Sequence, residues 1–268
     1  MAMVFTTRFS AWSQAGPLLE AAGLGRALPA AGRVLLKPNL VADQPPPMTT
    51  PVALVAEVIR FVREHRPQCE IVVADGSGSL KYETWRVFES QGYTAMAQAS
   101  GVTLLDLNDA PLRCLTNPQC RRWPEIYLPE IVLDSFLISV PVLKAHSMAG
   151  VTLTMKNMMG AAPPSHYQQD GHWKKASFHE DIQAAIFDLN RYRTPDFTLL
   201  DATVGMAEAH LWGPVCSPPK ARLAAGFDPV AMDAYGAGLL GRAWQEIGHL
   251  AMAHGTLGQA EPLEIREV

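Results

Sequence analysis

Short apolar runs alternate with helical patterns along most of this chain, and this alternation limits the fold more than any other feature of the sequence. Five runs are short and apolar, with many β-branched or aromatic residues, as is typical of buried strands: residues 34–36, 71–74, 102–105, 136–142 and 197–200. Segments with apolar residues at helical spacing lie between them. The alternation predicts an α/β fold, in which one domain spans residues 1–268 and a mostly parallel, mixed central sheet carries helices on both faces.

Polar side chains stand at the C-terminal ends of the predicted strands. These residues are Lys37, Asp75, Asp106, Lys144 and Asp201. The carboxyl ends of parallel strands meet at one edge of a sheet, where open α/β folds bind their ligands. The sequence therefore predicts a composite cleft at this edge. The alternative is that each polar residue only marks the point at which a buried strand reaches water.

The segment after the 136–142 strand carries the densest chemistry. If the extended backbone continues to His146, then Lys144 and His146 project from the same face, because side chains alternate along a strand. With Lys156, Lys144 would form a pair of lysines that holds an anion, or one of the two would be driven neutral to serve as a base or nucleophile. His146 is a candidate acid/base or metal ligand, and a structural histidine is the other interpretation.

A helical pattern follows from Val151 and ends at Gly160, which the sequence predicts to be a C-cap glycine. On such a helix Thr152 and Lys156 share a face, being four residues apart. Further along, Ser177 and Glu180 have the spacing of a capping box.

That capping box would place His179 in the first turn of a helix, where the positive helix end keeps the imidazole neutral. His179 is the second candidate metal ligand, with His146, for one divalent ion. The predicted catalytic residues are therefore Lys144, His146, Lys156 and His179.

A second set of residues is predicted to bind a cofactor or substrate. Lys37 and Asn39 flank Pro38 in a turn, and a lysine there holds a phosphate or carboxylate as a point charge. Residues 75–79 form a glycine-rich loop that presents N–H groups to an anion or is a plain tight turn; it matches no nucleotide-binding motif. The full predicted set is Lys37, Asn39, Asp75, Gly76, Ser77, Gly78, Asn157 and Asp201.

Two stretches interrupt the regular pattern. Residues 108–130 are irregular and include a hairpin or an insertion, and residues 161–176 form a polar loop that is predicted to cover the cleft. Cys114 and Cys120 lie in the first stretch and form a disulfide, a metal pair or idle thiols of a reducing cytosol. No Cys-x-x-Cys occurs, so no iron–sulfur cluster is expected in this chain.

The composition excludes several classes of function. A formal net charge of -4 and the lack of a Lys/Arg cluster argue against a nucleic-acid binder. No stretch approaches the roughly 18 apolar residues of a transmembrane helix, and residues 1–10 lack the apolar core of a signal peptide. The sequence predicts a cytoplasmic protein with neither a membrane nor a nucleic acid as partner.

Several of these motifs together resemble a known family, the domain-of-unknown-function family 362, over residues 33–268. The motifs that carry the resemblance, in chain order, are Lys37-Pro38-Asn39, Thr50-Pro51, Asp75, Leu143-Lys144-x-His146, Thr154-x-Lys156-Asn157-x-x-Gly160, Asp201 and Asp228-Pro229-Val230-Ala231-x-Asp233. The resemblance implies a bacterial or archaeal core domain that is associated with iron–sulfur centres in many members. Any cluster chemistry would then need a ferredoxin-type partner protein.

These observations predict a soluble enzyme, redox- or metal-linked, that acts on a small anionic molecule at the strand ends. The alternative is a non-catalytic metal- or cofactor-binding protein that works beside an iron–sulfur partner. The sequence names neither the substrate nor the reaction.

Overall fold

The computed structural model describes residues Met1–Val268. The strands are β1 (Ala2–Arg8), β2 (Arg33–Pro38), β3 (Glu70–Asp75), β4 (Thr103–Asp106), β5 (Leu112–Thr116), β6 (Glu125–Pro129), β7 (Phe136–Val140), β8 (Val142–His146), β9 (Gly150–Thr152), β10 (Phe197–Met206), β11 (Arg222–Gly226) and β12 (Leu263–Glu267). The α-helices are α1 (Ala15–Ala21), α2 (Leu24–Ala27), α3 (Val52–His65), α4 (Thr84–Ser90), α5 (Tyr93–Ser100), α6 (Glu130–Asp134), α7 (Thr154–Asn157), α8 (Pro164–Tyr167), α9 (Ile182–Tyr192), α10 (Pro229–Leu239) and α11 (Gly248–Ala253). Short 3-10 segments include Met158–Ala161 and Ala176–His179.

Ten of the strands form one mixed sheet. Its order is β12-β1-β11-β10-β7-β2-β3-β4, and β8 pairs with both β10 and β9. Strands β10, β7, β2, β3 and β4 run parallel to one another, while β11 is antiparallel to both β1 and β10. The predicted α/β fold with a mostly parallel, mixed sheet is confirmed. Strands β5 and β6 form a separate antiparallel pair, so the irregular stretch 108–130 does include a hairpin.

Apolar side chains alternate between the two faces of the sheet. On β2, Leu35 belongs to one hydrophobic cluster, whereas Val34 and Leu36 belong to the other. The first cluster includes residues of α9, α10 and α11, and the second includes residues of α1, α3, α4 and α5. Both faces are therefore covered by helices, as a parallel sheet requires, because its strands bury side chains on both sides.

The parallel register brings the predicted strand ends to one edge. Lys37 lies opposite Ser139, and Asp75 lies opposite Asp106 in the neighbouring strand. Asp201 does not end its strand, however, since β10 runs on to Met206. The sequence interpretation stopped the strand too early, because a polar residue inside a long strand has the same appearance as one at its end.

The segment after His146 departs from the predicted helix. Val151 and Thr152 belong to β9, which folds back antiparallel onto β8 and pairs Thr152 with Lys144. The helical turn α7 begins only at Thr154, so Thr152 and Lys156 do not share a helix face. Gly160 lies within a 3-10 segment rather than in a left-handed C-cap.

The predicted capping box is also wrong. The residue that caps α9 is Asp181, whose side chain accepts from the Ala184 N–H at 3.4 Å. Ser177 and His179 instead lie in the preceding 3-10 segment, and the Ser177 hydroxyl donates to the Tyr167 carbonyl at 2.9 Å. His179 consequently does not stand at the positive end of a helix.

All four cysteines are free, with Cys114 exposed and Cys120 buried, so the disulfide alternative is wrong.

No helix of the chain combines the length and the apolar character that crossing a bilayer requires.

Candidate functional site

A cavity of about 680 Å³ opens at the carboxyl edge of the parallel strands. Eight of the predicted site residues line it: Asn39, Asp75, Gly76, Gly78, His146, Lys156, Asn157 and His179. Other lining residues include Tyr82, Met148, Thr152, Trp173, Lys175, His210 and Trp212. A cavity of this volume lies within the range of small-molecule sites, roughly 300–1,000 Å³.

A buried ion pair stands at the base of the cavity. The Lys37 Nζ and Asp75 Oδ1 atoms are 2.5 Å apart, and both side chains are almost completely buried. The second carboxylate oxygen of Asp75 accepts from the Leu40 N–H at 2.6 Å. Burial lowers the pKa of Lys37, while the neighbouring Asp75 carboxylate opposes that shift. The pair thus joins the ends of β2 and β3 electrostatically.

Two asparagines extend this pair to Lys144. The Asn157 side chain donates to the Lys37 carbonyl at 3.2 Å and accepts from the Asn39 amide at 3.0 Å. The Asn39 Oδ1 atom in turn accepts from Lys144 Nζ, which also donates to the Met48 carbonyl at 2.7 Å. We call Lys37, Asn39, Asp75, Lys144 and Asn157 the closed network, because each of these side chains has a polar partner.

Two glycines allow this network to form. A Cβ atom at Gly160 would fall on Asp75 Oδ1 and Lys37 Nζ, and one at Gly76 would fall on the Gly160 carbonyl oxygen. The glycines are therefore needed for close approach of two backbone segments over the ion pair. In the loop that follows Gly76, the Ser77 N–H donates to Thr84 Oγ1 and the Gly78 N–H donates to the Val41 carbonyl. These two N–H groups are used within the protein.

Lys156 differs from the other buried lysines at this edge. Its side chain lines the cavity, is 8% exposed, and has neither an ion pair nor a hydrogen bond. Burial alone lowers its pKa to about 8. The short turn that carries it is fixed by Asp233, which accepts from the Thr154 and Met155 N–H groups at 2.7 and 2.9 Å. The amine is thus held in place by its backbone and left free at its tip.

The two predicted histidines are held in opposite tautomers. His146 Nδ1 accepts from the N–H groups of Met148 and Ala149, both at 3.1 Å, so the neutral ring carries its proton on Nε2. His179 Nδ1 lies 3.2 Å from the Lys175 carbonyl, which only accepts, so its lone pair is on Nε2. Burial lowers the pKa of both rings, that of His146 to about 2.

His210 was not predicted, and it lies against His146. The two rings stack with centroids 4.2 Å apart and an interplanar angle of 15°. His210 Nδ1, His146 Nε2 and Thr152 Oγ1 are buried atoms without any hydrogen-bond partner. We call His146, Thr152, Lys156 and His210 the open corner. His210 was missed because the predicted strand ended at residue 200. The strand β10 continues to Met206 and thereby brings the residues that follow it to the same sheet edge.

The loop predicted to cover the cleft does contribute to its wall. Lys175 Nζ donates to Asn108 Oδ1 and to the Ala162 carbonyl, and burial lowers its pKa to about 7. Trp173 lines the cavity from the same loop while remaining 49% exposed. The loop is therefore anchored by a buried lysine and presents an indole at the rim.

Residues 34–238 match the family model described as Domain of unknown function (DUF362). The chain belongs to this family. The matched range contains the whole closed network and the whole open corner. The family name assigns no activity, so only the side chains of the site indicate which reaction it could perform.

Two individual proteins are similar to this DUF362 chain. The "Thylakoid-associated protein sll1697" of Synechocystis sp. (strain ATCC 27184 / PCC 6803 / Kazusa) is 25% identical over 216 residues, which cover 79% of this chain and 64% of that protein. The solved structure of the lactate racemase apoprotein from Thermoanaerobacterium thermosaccharolyticum is 12% identical with a TM-score of 0.48, and the match covers 91% of this chain and 57% of that one. The DUF362 chain thus spans less than two thirds of the length of either protein.

Four predicted residues lie outside the cavity wall. Lys37 and Lys144 are buried in the closed network beneath it. Ser77 is buried with an unpartnered hydroxyl. Asp201 is buried within β10, where its carboxylate accepts from the Thr203 N–H at 2.9 Å and burial raises its pKa. Asp201 therefore has a local role in its strand.

A group of possible metal ligands also lies away from the two predicted histidines, whose metal site stays a prediction. Three or more His, Cys, Asp or Glu side chains have their ligand atoms within 4.8 Å of one another at one place only, which is Glu83, Asp106 and Asp109. Glu83 already pairs with Lys174 at 2.6 Å, and Asp106 accepts from the Thr84 and Asn108 N–H groups. His146 and His179 belong to no such group. Moreover, a metal at His146 Nε2 would have to displace the proton that the two backbone bonds place there.

Proposed function

We propose that this protein is an enzyme that binds a small anionic substrate in the cavity and acts on it by acid–base chemistry. The main support for this proposal is that the ammonium group of Lys156 faces the cavity, buried and without a partner. A buried charge without a partner is costly, so the site is expected to be completed by an anionic ligand.

The balance of charge supports an anion. Five lysines are buried around the cavity: Lys174, which pairs with Glu83, and Lys37, Lys144, Lys156 and Lys175. Among the carboxylates that line it, Asp75 pairs with Lys37 and Asp43 pairs with Arg86. Burial lowers the pKa of Lys144 to about 7, and the charge of Lys156 adds to this shift. An anion near these amines would relieve both the desolvation and the repulsion between them.

Two histidines, His146 and His179, would perform the acid–base chemistry. His146 directs an Nε2–H donor at the open corner, where it would hydrogen-bond an oxygen of the substrate. His179 offers a neutral Nε2 lone pair, which is the form that accepts a proton at neutral pH. One ring thus orients or stabilises the anion, and the other moves a proton.

No step in this proposal uses a metal or a redox cofactor. The His146 proton described above does not suit a ligand at Nε2, and the acidic group around Asp106 is occupied by other bonds. The predicted divalent ion, the ferredoxin-type partner and the cytoplasmic location stay predictions. Metal content of the untagged, purified protein would test the first of them.

The proposal is tested by calorimetric titration with phosphate, oxalate and pyruvate at pH 7. We expect at least one of these anions to bind the wild-type protein and to bind Lys156→Met much more weakly. Lys220→Met, which removes a lysine outside the cavity, should match the wild type. Equal affinities of wild type and Lys156→Met for every anion would contradict the proposal. Binding without turnover of the bound acid would support the non-catalytic alternative.

A further inference from the structure

Lys156 is placed as a reactive amine rather than as a simple anchor for charge. Each other buried lysine at this edge donates to an oxygen of the protein: Lys37 to Asp75, Lys144 to Asn39 and Met48, Lys174 to Tyr82 and Glu83, and Lys175 to Asn108 and Ala162. These bonds hold the four amines in fixed positions. Lys156 makes no such bond, so its nitrogen is free to approach a ligand in the cavity.

The surroundings of Lys156 favour its neutral form, which is the nucleophilic one. Its side chain is almost completely buried, and this burial lowers its pKa to about 8. Desolvation is one of the means by which proteins activate a lysine for attack on a carbonyl group. At neutral pH a usable fraction of the amine is therefore unprotonated.

The turn that carries Lys156 is rigid, as a nucleophile requires. Asp233 binds the two N–H groups at the start of the turn, and the Asn190 amide donates to the Met155 carbonyl at 2.9 Å. Asp233 and Asn190 come from α10 and α9, in the helical layer that covers one face of the sheet. The backbone next to Lys156 is thus held from two helices, and only the aliphatic stem of the side chain has rotational freedom.

We propose that Lys156 forms an imine with the carbonyl carbon of a small 2-oxo acid. This inference rests on the proposed function, since the same cavity must first hold the carboxylate. Lys175 has two acceptors for its three N–H donors, so one proton remains for that carboxylate. The cavity wall thus combines a cation for the acid group with a nucleophile for the adjacent carbonyl.

The chemical step is balanced without any further reactant. The Nζ lone pair forms a bond to the carbonyl carbon, while the electron pair of the C=O bond moves to oxygen, where the His146 Nε2–H can donate a hydrogen bond. His179 Nε2 carries the protons released by the amine to that oxygen. The oxygen leaves as water with both amine protons, and a C=N bond to Lys156 remains.

The test is reductive trapping. Wild-type protein is incubated with glyoxylate, pyruvate or 2-oxoglutarate, treated with sodium borohydride, digested and mapped by mass spectrometry. We expect at least one acid to give a reduced adduct on Lys156, and the rate of labelling to rise with pH toward the amine pKa of about 8. No adduct on Lys156 with any of the three acids, or labelling of Lys220, outside the cavity, as strong as that of Lys156, would overturn the inference.

Two controls separate this inference from the proposed function. Lys156→Arg keeps the positive charge but forms no imine, so it should lose the adduct while still binding oxalate, with circular dichroism to verify the fold. Oxalate binding by the wild type without trapping of any oxo acid would leave the proposed function standing and remove the imine. A wild-type protein that binds none of phosphate, oxalate and pyruvate would remove the proposed function itself.

Discussion

The closed network and the open corner lie side by side at one edge of the sheet, but they satisfy their polar groups differently. In the closed network, Lys37, Asp75 and their neighbours meet one another within the protein. In the open corner, His146, Thr152 and His210 leave buried nitrogen or oxygen atoms without partners. Native proteins leave few such atoms unsatisfied, and those that remain need an explanation. The first region is therefore expected to serve stability and the second to serve a ligand.

The largest expected effect comes from breaking the closed network. Lys37→Met leaves the Asp75 carboxylate buried without its cation, and removing one partner of a buried ion pair costs about 3–5 kcal/mol. Urea unfolding should show a loss of free energy of unfolding in that range. A loss below about 1 kcal/mol, the value typical of exposed pairs, would mean that the Lys37–Asp75 pair does not stabilise the fold as a buried pair.

The second effect concerns histidines that are buried in the neutral form. His249 is fully buried, with Nδ1 2.7 Å from Gln183 Oε1, and burial lowers its pKa to about 3. Between the ordinary pKa of 6.5 and this value the unfolded state binds the extra proton, so stability falls as the pH falls through that window.

Within this window one such histidine changes the free energy of unfolding by about 1.4 kcal/mol per pH unit. His249→Asn keeps a donor and cannot titrate, so the free energy of unfolding should fall less steeply between pH 6 and pH 4, a window inside the shift from 6.5 to about 3. His166→Asn, outside the cavity, serves as the matched control. Parallel pH profiles for His249→Asn and the wild type would show that His249 is not held neutral.

The third effect separates the two regions most clearly. Lys156→Met removes a desolvated charge that has no partner, so the free energy of unfolding should not fall. Anion affinity should fall about 10–100-fold, the loss expected for one hydrogen bond between charged groups. Unfolding and titration on the same sample check both statements. A loss of stability like that of Lys37→Met would assign Lys156 to structure instead of binding.

The smallest effect is a linkage between anion binding and protons. Lys144, Lys156 and Lys175 have pKa values lowered to about 7, 8 and 7, and a bound anion favours their charged forms and raises these values. Binding at pH 8 should therefore take up protons, and affinity should decrease as the pH rises from 7 to 9, the range around these values. Titrations in two buffers of different ionisation enthalpy measure the uptake. Release of protons on binding would contradict the sign.

The sequence was sufficient for the parallel sheet and for much of its functional edge, because both depend on local patterns. The apolar runs mark the parallel strands β2, β3, β4, β7 and β10, and Lys37 and Asp75 follow directly from where β2 and β3 end. The strands at the other side of the sheet, β1 and β12, were missed. Their pairing partners are distant in sequence, and no helical crossover pattern announces them.

The open corner was only partly predictable, for physical reasons. The turn from β8 into β9 places Thr152 opposite Lys144, and a three-residue strand leaves too little periodicity to be distinguished from a helix. His210 reaches His146 because β10 continues past Asp201, and His179 reaches the cavity through a 3-10 segment. In each case tertiary pairing, not local sequence preference, decided the position of the side chain.

The most direct test of anion binding at Lys156 is a calorimetric titration of phosphate, oxalate and pyruvate into the wild-type protein, Lys156→Met and Lys220→Met at pH 7. We expect the wild type and Lys220→Met to bind at least one of these anions with the same affinity, and Lys156→Met to bind it about 10–100-fold more weakly while remaining as stable as the wild type. Undiminished binding of that anion by a folded Lys156→Met protein would contradict the proposed function.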